Sequence, residues 1–142
     1  MINLEKLYLS IKKLGLKVSD VNEYYNYSHE LGIAQIDTNN LQDKIFGIEC
    51  NFEELNGIDF RKGCYVGQEN TARIKLKDKL NKRLFAIKVL DGEINSDEIT
   101  SENKNLGKLL INNKNPFALL KLEDKSFNFD KDLKCGDAKI KA

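Results

Sequence analysis

The apolar pattern of this chain changes its period near Arg83, and that switch limits the folds open to it. Before it, Leu4, Leu7, Ile11 and Leu14 recur at helical spacing and Gly15 follows as a stop. A core-packing amphipathic helix is the expectation there. After it, Phe85, Ile87 and Val89 alternate with Ala86 and Lys88, and short apolar runs at 106–111, 117–122 and 138–140 are separated by Asn, Asp, Gly and the sole proline, Pro116. Such a chain is expected to be α+β: a mainly helical part over 1–80, then a small antiparallel β-barrel over 81–142.

Within the first part, Asp20 and Glu23 stand in capping-box spacing ahead of a second helix that should end near Gly32. Its Tyr24, Tyr25 and Tyr27 predict a buried aromatic face. The patch Asp37-Thr38-Asn39-Asn40 and the pair Asn56-Gly57 predict loops and short helices between residues 33 and 60. The stretch from Gln68 to Leu80 has helix-forming composition and no proline, so a loop-to-helix junction is expected just before it.

Composition excludes several classes of function. At 142 residues the chain suits one ordinary domain or two small lobes. Its 23 Lys and Arg against 22 Asp and Glu give no global pull toward nucleic acid or an anionic membrane. No apolar run approaches the roughly 20 residues that cross a bilayer, and the first residues lack a signal-peptide layout, so a cytoplasmic location is expected. The three cysteines are widely spaced without a C-x-x-C pair, which argues against a disulfide framework or a zinc site. With one histidine, His29, a Cys-His or Ser-His-Asp mechanism would have to recruit that residue.

The octapeptide Lys62-Gly63-Cys64-Tyr65-Val66-Gly67-Gln68-Glu69 carries the chemistry. A thiol reacts as thiolate, and Cys64 has Arg61 and Lys62 just before it and an expected helix start just after it, two influences that lower a thiol pKa. Gly63 and Gly67 let the backbone approach a ligand or partner closely. Cys50, between Glu49 and Asn51, and Cys135, ahead of Gly136 in an expected turn, lack such surroundings and read as packing residues. Glu69 and Arg73, four apart, suit either an ion pair or a site. The basic stretch from Arg73 to Arg83 is interrupted by Asp78 and has no aromatic before Phe85, which suits a solvated face better than a nucleic-acid track.

The octapeptide, with Gly57-Ile58-Asp59-Phe60-Arg61 before it and Thr71-Ala72-Arg73 and Lys82-Arg83-Leu84 after it, closely resembles the signature of the YgfZ-type folate-binding proteins. These are relatives of the glycine-cleavage aminomethyltransferase. Glu49-Cys50-Asn51 through Leu55 and Leu31-Gly32-Ile33 also resemble family stretches, with Ala34 where the family has proline and His29 where arginine is common. The resemblance implies a part of a folate-binding-type lobe followed by a C-terminal β-barrel, and a factor in iron–sulfur cluster assembly or repair that supports cluster-containing enzymes such as RNA-modifying ones. It implies Cys64 as the key thiol, and tetrahydrofolate contacts by Lys62, Gly63, Tyr65, Gly67, Gln68, Glu69, Arg73 and Glu49.

No intrinsic metal is implied. The family carries a long folate-binding region ahead of the part matched here, so the chain resembles the C-terminal half. A separately encoded N-terminal half or a second copy would then complete the pocket. The other activity implied by kinship is aminomethyltransferase-like one-carbon transfer to tetrahydrofolate.

Overall fold

The structure is a computed structural model, and it describes residues 4–63, 71–72, 80–102, 104–122 and 132–142. Two helices, α1 (Leu4–Lys13) and α2 (Val21–Glu30), precede two short 3-10 turns, Thr38–Leu41 and Gly47–Cys50. Among the described residues seven strands follow: β1 (Lys82–Ala86), β2 (Lys88–Asp91), β3 (Ile94–Ser101), β4 (Lys104–Ile111), β5 (Phe117–Lys121), β6 (Leu133–Gly136) and β7 (Ala138–Lys141). They form one antiparallel sheet in the order β1-β5-β4-β3-β6-β7-β2, curled into a half-barrel. The expected mixture of helix and antiparallel barrel-like sheet is therefore present.

The two edge strands, β1 and β2, are consecutive in sequence and separated only by Ile87. Ile87 is buried, and its N–H donates to the Pro116 carbonyl at 2.9 Å, outside both strand ladders. The expected alternation holds for Phe85 and Ile87, since half-buried Phe85 packs against the same cluster as buried Ile87, whereas Val89, past the break, is exposed and Leu84 is buried in the other cluster.

The curl encloses Ile87, Ile99, Leu106, Leu109, Leu120, Leu133 and Ile140, together with Cys135 and two alanines. A second, smaller cluster of Leu84, Ile111 and Phe117 lies against Ala34, Leu41, Ile45 and Cys50 of the preceding segment. Phe117 belongs to one cluster and its neighbour Ala118 to the other. Successive strand residues point to opposite faces, so β5 is covered on both sides and reads as a continuous apolar run. Gly107, in β4, allows close approach to β5: a Cβ there would lie 2.1 Å from the Leu119 carbonyl oxygen.

Cys135 does precede a turn, as expected, and the turn is a tight one. It lies in β6, opposite Ala138 of β7, and the two-residue connection Gly136-Asp137 begins with Gly136 at φ +62°. A tight hairpin with positive φ favours glycine at that place.

In the first part, α2 ends in a Schellman cap. The Ile33 N–H donates to Ser28 O at 2.8 Å and the Gly32 N–H to His29 O at 2.9 Å, with Gly32 at φ +73°. Its start differs from the expected box. Asp20 accepts from the Asn22 N–H, but the Glu23 carboxylate takes the Ser19 hydroxyl instead of reaching back to the cap. Those Asn22 backbone and side-chain amides hold the Asp20 carboxyl below its ordinary range.

The tyrosines do not form a buried face. Tyr24 and Tyr27 are exposed, and α2 buries Ser28 and His29. His29 Nε2 lies 2.9 Å from the Pro116 carbonyl oxygen, and its ring meets Phe117 edge-on at 5.0 Å. A carbonyl only accepts, so Nε2 carries the proton. Similarly, α1 forms at the expected place but buries none of its residues. Residues 33–60 are turns and short helices, with Asp37, Asp43, Asn51 and Asn56 in the left-handed region that Asp and Asn tolerate.

Candidate functional site

Of the expected site residues, Glu49, Lys62 and Gly63 are described. Cys64, Tyr65, Gly67, Gln68, Glu69 and Arg73 lie outside the described residues, as does most of the expected helix from Gln68 to Leu80, of which Thr71 and Ala72 are helical. The frame that leads into Cys64 is therefore the part whose geometry can be built.

That frame starts at the Gly47–Cys50 turn. Glu49 sits at its third position; its Oε2 accepts the Phe46 N–H at 2.8 Å and its own N–H donates to Phe46 O at 2.9 Å. This reciprocal pair satisfies donors that a helix start leaves open. Glu49 is thus committed to the turn through one carboxylate oxygen.

Asn51 follows at φ +63°. Its amide Nδ2 donates to the Leu84 carbonyl at 3.1 Å and contacts Gly32 O at 3.4 Å. Leu84 belongs to an edge strand, and a side-chain amide on its carbonyl occupies a group that another strand could otherwise recruit. One side chain therefore ties the α2 cap, the Gly47–Cys50 turn and β1 together.

Glu54 adds an ion pair with Arg83, whose side chain is buried while that of Glu54 is half-exposed. Beyond it the chain turns twice. The Gly57 and Ile58 N–H groups donate to Phe52 O at 2.6 and 3.2 Å, and Asp59 Oδ1 accepts the Arg61 N–H at 2.9 Å. Arg61, Lys62 and Gly63 emerge exposed, and a Cβ built on Gly63 would meet nothing within 4 Å. The octapeptide thus begins in open space on a frame pinned at Asn51 and Glu54.

The other two cysteines are not reactive thiols. Cys50 packs against the Leu84, Ile111 and Phe117 cluster; burial, then the Glu49 carboxylate, pushes its thiol up to about 11. Cys135 is fully buried and its Sγ lies 3.0 Å from Ser96 O; burial, then Asp97, pushes its thiol up. Both are protonated near neutral pH and act as small packing groups.

Two clefts bounded by described residues flank the end of α2. One of about 670 Å³ is lined by Asn26, His29, Lys88, Lys114 and Pro116 among others, and one of about 650 Å³ by Glu30, Gly32, Phe85, Lys88 and Lys141 among others. Neither includes Glu49, Lys62 or Gly63. The described residues that were expected to contact tetrahydrofolate supply half a free carboxylate and one exposed ammonium, which do not enclose a pterin. Among the described residues no group of three His, Cys, Asp or Glu could hold a metal ion, and no helix is long and apolar enough to cross a membrane.

Asn51 lies in the Glu49 to Leu55 stretch that resembles the family, but the sequence assigns it no role; its left-handed backbone, common for asparagine, and its two carbonyl partners come from the fold.

No protein-family model matches the chain. The chain is similar to proteins named as the mitochondrial iron–sulfur cluster assembly factor IBA57 or its homologue. It is 39% identical over 62 residues to the one from Aspergillus oryzae, covering 44% of this chain and 14% of that protein. It is 34% identical over 73 residues to that of Mus musculus, covering 51% and 20%, and 32% identical over 77 residues to that of Homo sapiens, covering 54% and 22%. The match thus spans about a fifth or less of each relative's length. These relatives agree with the iron–sulfur role that the YgfZ-type resemblance implied. They overturn the expected cytoplasmic location: all three are named mitochondrial and point to the mitochondrion.

Proposed function

We propose that this chain serves iron–sulfur cluster assembly or repair in the mitochondrion, with Cys64 as the thiol that works on the cluster or its sulfur source. The single observation that carries the reading is the elimination of the other two thiols. Of three cysteines, Cys50 and Cys135 are packed and hold their protons, which leaves the one at the end of an anchored, cation-flanked frame. The names of the matched relatives supply the reaction class.

In this reading the cluster is cargo and not a resident cofactor. Arg61 and Lys62 favour the thiolate of Cys64 electrostatically, and a thiolate is a soft ligand suited to iron in a cluster. Asn51 and Glu54 hold the approach segment against β1 so that the loop is presented at low entropic cost. Lys62, Gly63, Tyr65, Gly67, Gln68, Glu69, Arg73 and Glu49 complete the proposed site, and tetrahydrofolate is its proposed cofactor once a second polypeptide supplies the rest of the pocket. The clients are cluster-containing enzymes, RNA-modifying ones among them.

Cells that depend on the chain test it through the activity of a cluster-containing enzyme. Rescue by the unaltered chain and failure by Cys64→Ala at equal abundance is the expected result, and equal rescue would refute the role of Cys64. Tetrahydrofolate binding with and without a co-expressed partner lobe tests the cofactor. Stoichiometric binding by the isolated monomer would remove the need for the second polypeptide.

A further inference from the structure

The sequence holds one Asn-Gly pair, Asn56-Gly57, and the fold places it on the frame between the Glu54 ion pair and Lys62. Both residues are exposed, and among the described residues the Asn56 side-chain amide has no hydrogen-bond partner. Asparagine is a thermolabile residue, and a following glycine has no side chain to obstruct attack by its own nitrogen. Asn95-Ser96 is a contrasting pair. The Asn95 amide donates to the Asp137 carboxylate and its Oδ1 accepts the Asp137 N–H at 3.1 Å, so its side chain is held away from the next residue.

The local fold also restrains the reaction at Asn56. The Gly57 N–H donates to Phe52 O at 2.6 Å, and the Ile58 N–H reaches the same carbonyl at 3.2 Å. Asn56 itself is left-handed at φ +57°, with its N–H donating to Glu53 O at 3.1 Å. Attack requires the Gly57 nitrogen to lose its proton and turn toward Asn56 Cγ. The Phe52 clasp has to open first.

We infer that Asn56-Gly57 is a spontaneous deamidation site gated by the Phe52 carbonyl, at which loosening of the frame becomes a permanent change of backbone and charge. The Gly57 nitrogen bonds to Asn56 Cγ, the Cγ–Nδ2 bond breaks, and ammonia leaves with the proton from Gly57. Water then opens the succinimide. Addition at Cγ gives aspartate at position 56 on an ordinary backbone, which tolerates the left-handed conformation. Addition at the backbone carbonyl carbon gives isoaspartate, whose main chain runs through Cβ and is longer by that carbon. The longer chain cannot keep both bonds to Phe52 and displaces the path to Lys62 and Gly63. This inference goes beyond the proposed function and makes no use of Cys64.

The full chain incubated at neutral pH, either folded or in guanidinium chloride, tests it. Peptide mass spectrometry follows conversion at each asparagine, and isoaspartyl methyltransferase labelling reports isoaspartate. In guanidinium chloride position 56 is expected to convert first, and Gly57→Ala to slow it severalfold there. The folded chain should convert at position 56 about tenfold more slowly or less, since only the locally open form reacts. Asn51→Gly removes the bonds to Leu84 and Gly32 that pin the frame, so it should raise the folded rate at position 56 severalfold and leave position 95 unchanged. The isoaspartate form should be cut by protease between residues 52 and 63 sooner than Asn56→Asp.

Equal rates at position 56 in the folded and unfolded chain would overturn the inference. So would earlier conversion of another asparagine in guanidinium chloride, a folded rate that ignores Asn51→Gly, or identical proteolysis of the isoaspartate form and Asn56→Asp.

Discussion

The side-chain amide of Asn51 lies 3.1 Å from the carbonyl oxygen of Leu84, joining a left-handed turn residue to the edge strand of the half-barrel. Replacement by alanine removes this bond and the weaker one to Gly32, and leaves a Cβ in backbone space that non-glycine residues other than Asn and Asp avoid. We expect Asn51→Ala to cost about 2–3 kcal/mol. Asn51→Gly loses the same bonds without the backbone penalty and should cost about 1 kcal/mol less. Urea unfolding of both variants measures the ordering, and equal losses would refute the backbone part of the argument.

His29 fastens α2 to the sheet through one hydrogen bond to Pro116 and one edge-on contact with Phe117. The Pro116 carbonyl still accepts the Ile87 N–H when the imidazole is removed, so no acceptor is orphaned. His29→Ala should therefore cost about 1.5–3 kcal/mol, the sum of a buried hydrogen bond and an aromatic contact. A fall in Tm without loss of the sheet's far-UV signal is the expected readout.

Gly107→Ala should be more damaging than either. Its Cβ would meet backbone on β5, at 2.1 Å from Leu119 O and 2.9 Å from Leu120 Cα, and backbone in a ladder cannot step aside as a side-chain tip can. Overpacking of this kind costs about 3 kcal/mol or more. Failure of the variant to accumulate as folded protein, judged by limited proteolysis, is expected.

The cysteines give a pH test. The folded state raises the Cys50 thiol from 9.0 to about 11, so it favours the protonated form. The associated stability is complete below pH 9 and is lost as pH rises toward 11. Native protein treated with a maleimide at pH 7.5 should modify Cys64 and spare Cys50 and Cys135. Mass mapping that finds Cys50 modified first would contradict the assignment.

Much of this architecture was legible in the sequence because a single cause fixed it. The runs at 106–111, 117–122 and 138–140 became β4, β5 and β7, since apolar residues in short stretches between Asn, Asp and Gly have few other ways to be buried. β3 was missed: Asn95, Asp97 and Glu98 face solvent, and only Ile94 and Ile99 mark its inner side. β6 was hidden for the opposite reason, because Cys135-Gly136 reads as a turn and is a strand end as well as a turn.

Burial was the harder part. The periodicity of Leu4, Leu7, Ile11 and Leu14 located α1 correctly but could not say whether its apolar face would be covered by this chain. The tyrosines of α2 failed similarly, since Ser28 and His29 took the inner positions through a hydrogen bond that no hydropathy pattern encodes. At the site, the octapeptide stood out by motif, whereas Asn51 depends on two carbonyls brought together from Gly32 and Leu84, far apart in sequence.

The most direct measurement is the activity of a cluster-containing mitochondrial enzyme in cells that lack the chain, restored by the unaltered chain, Cys64→Ala, or the double variant Cys50→Ala with Cys135→Ala. The account predicts restoration by the unaltered chain, substantial restoration by the double variant where it folds, and none by Cys64→Ala at matched abundance. Restoration by Cys64→Ala equal to that of the unaltered chain would contradict it.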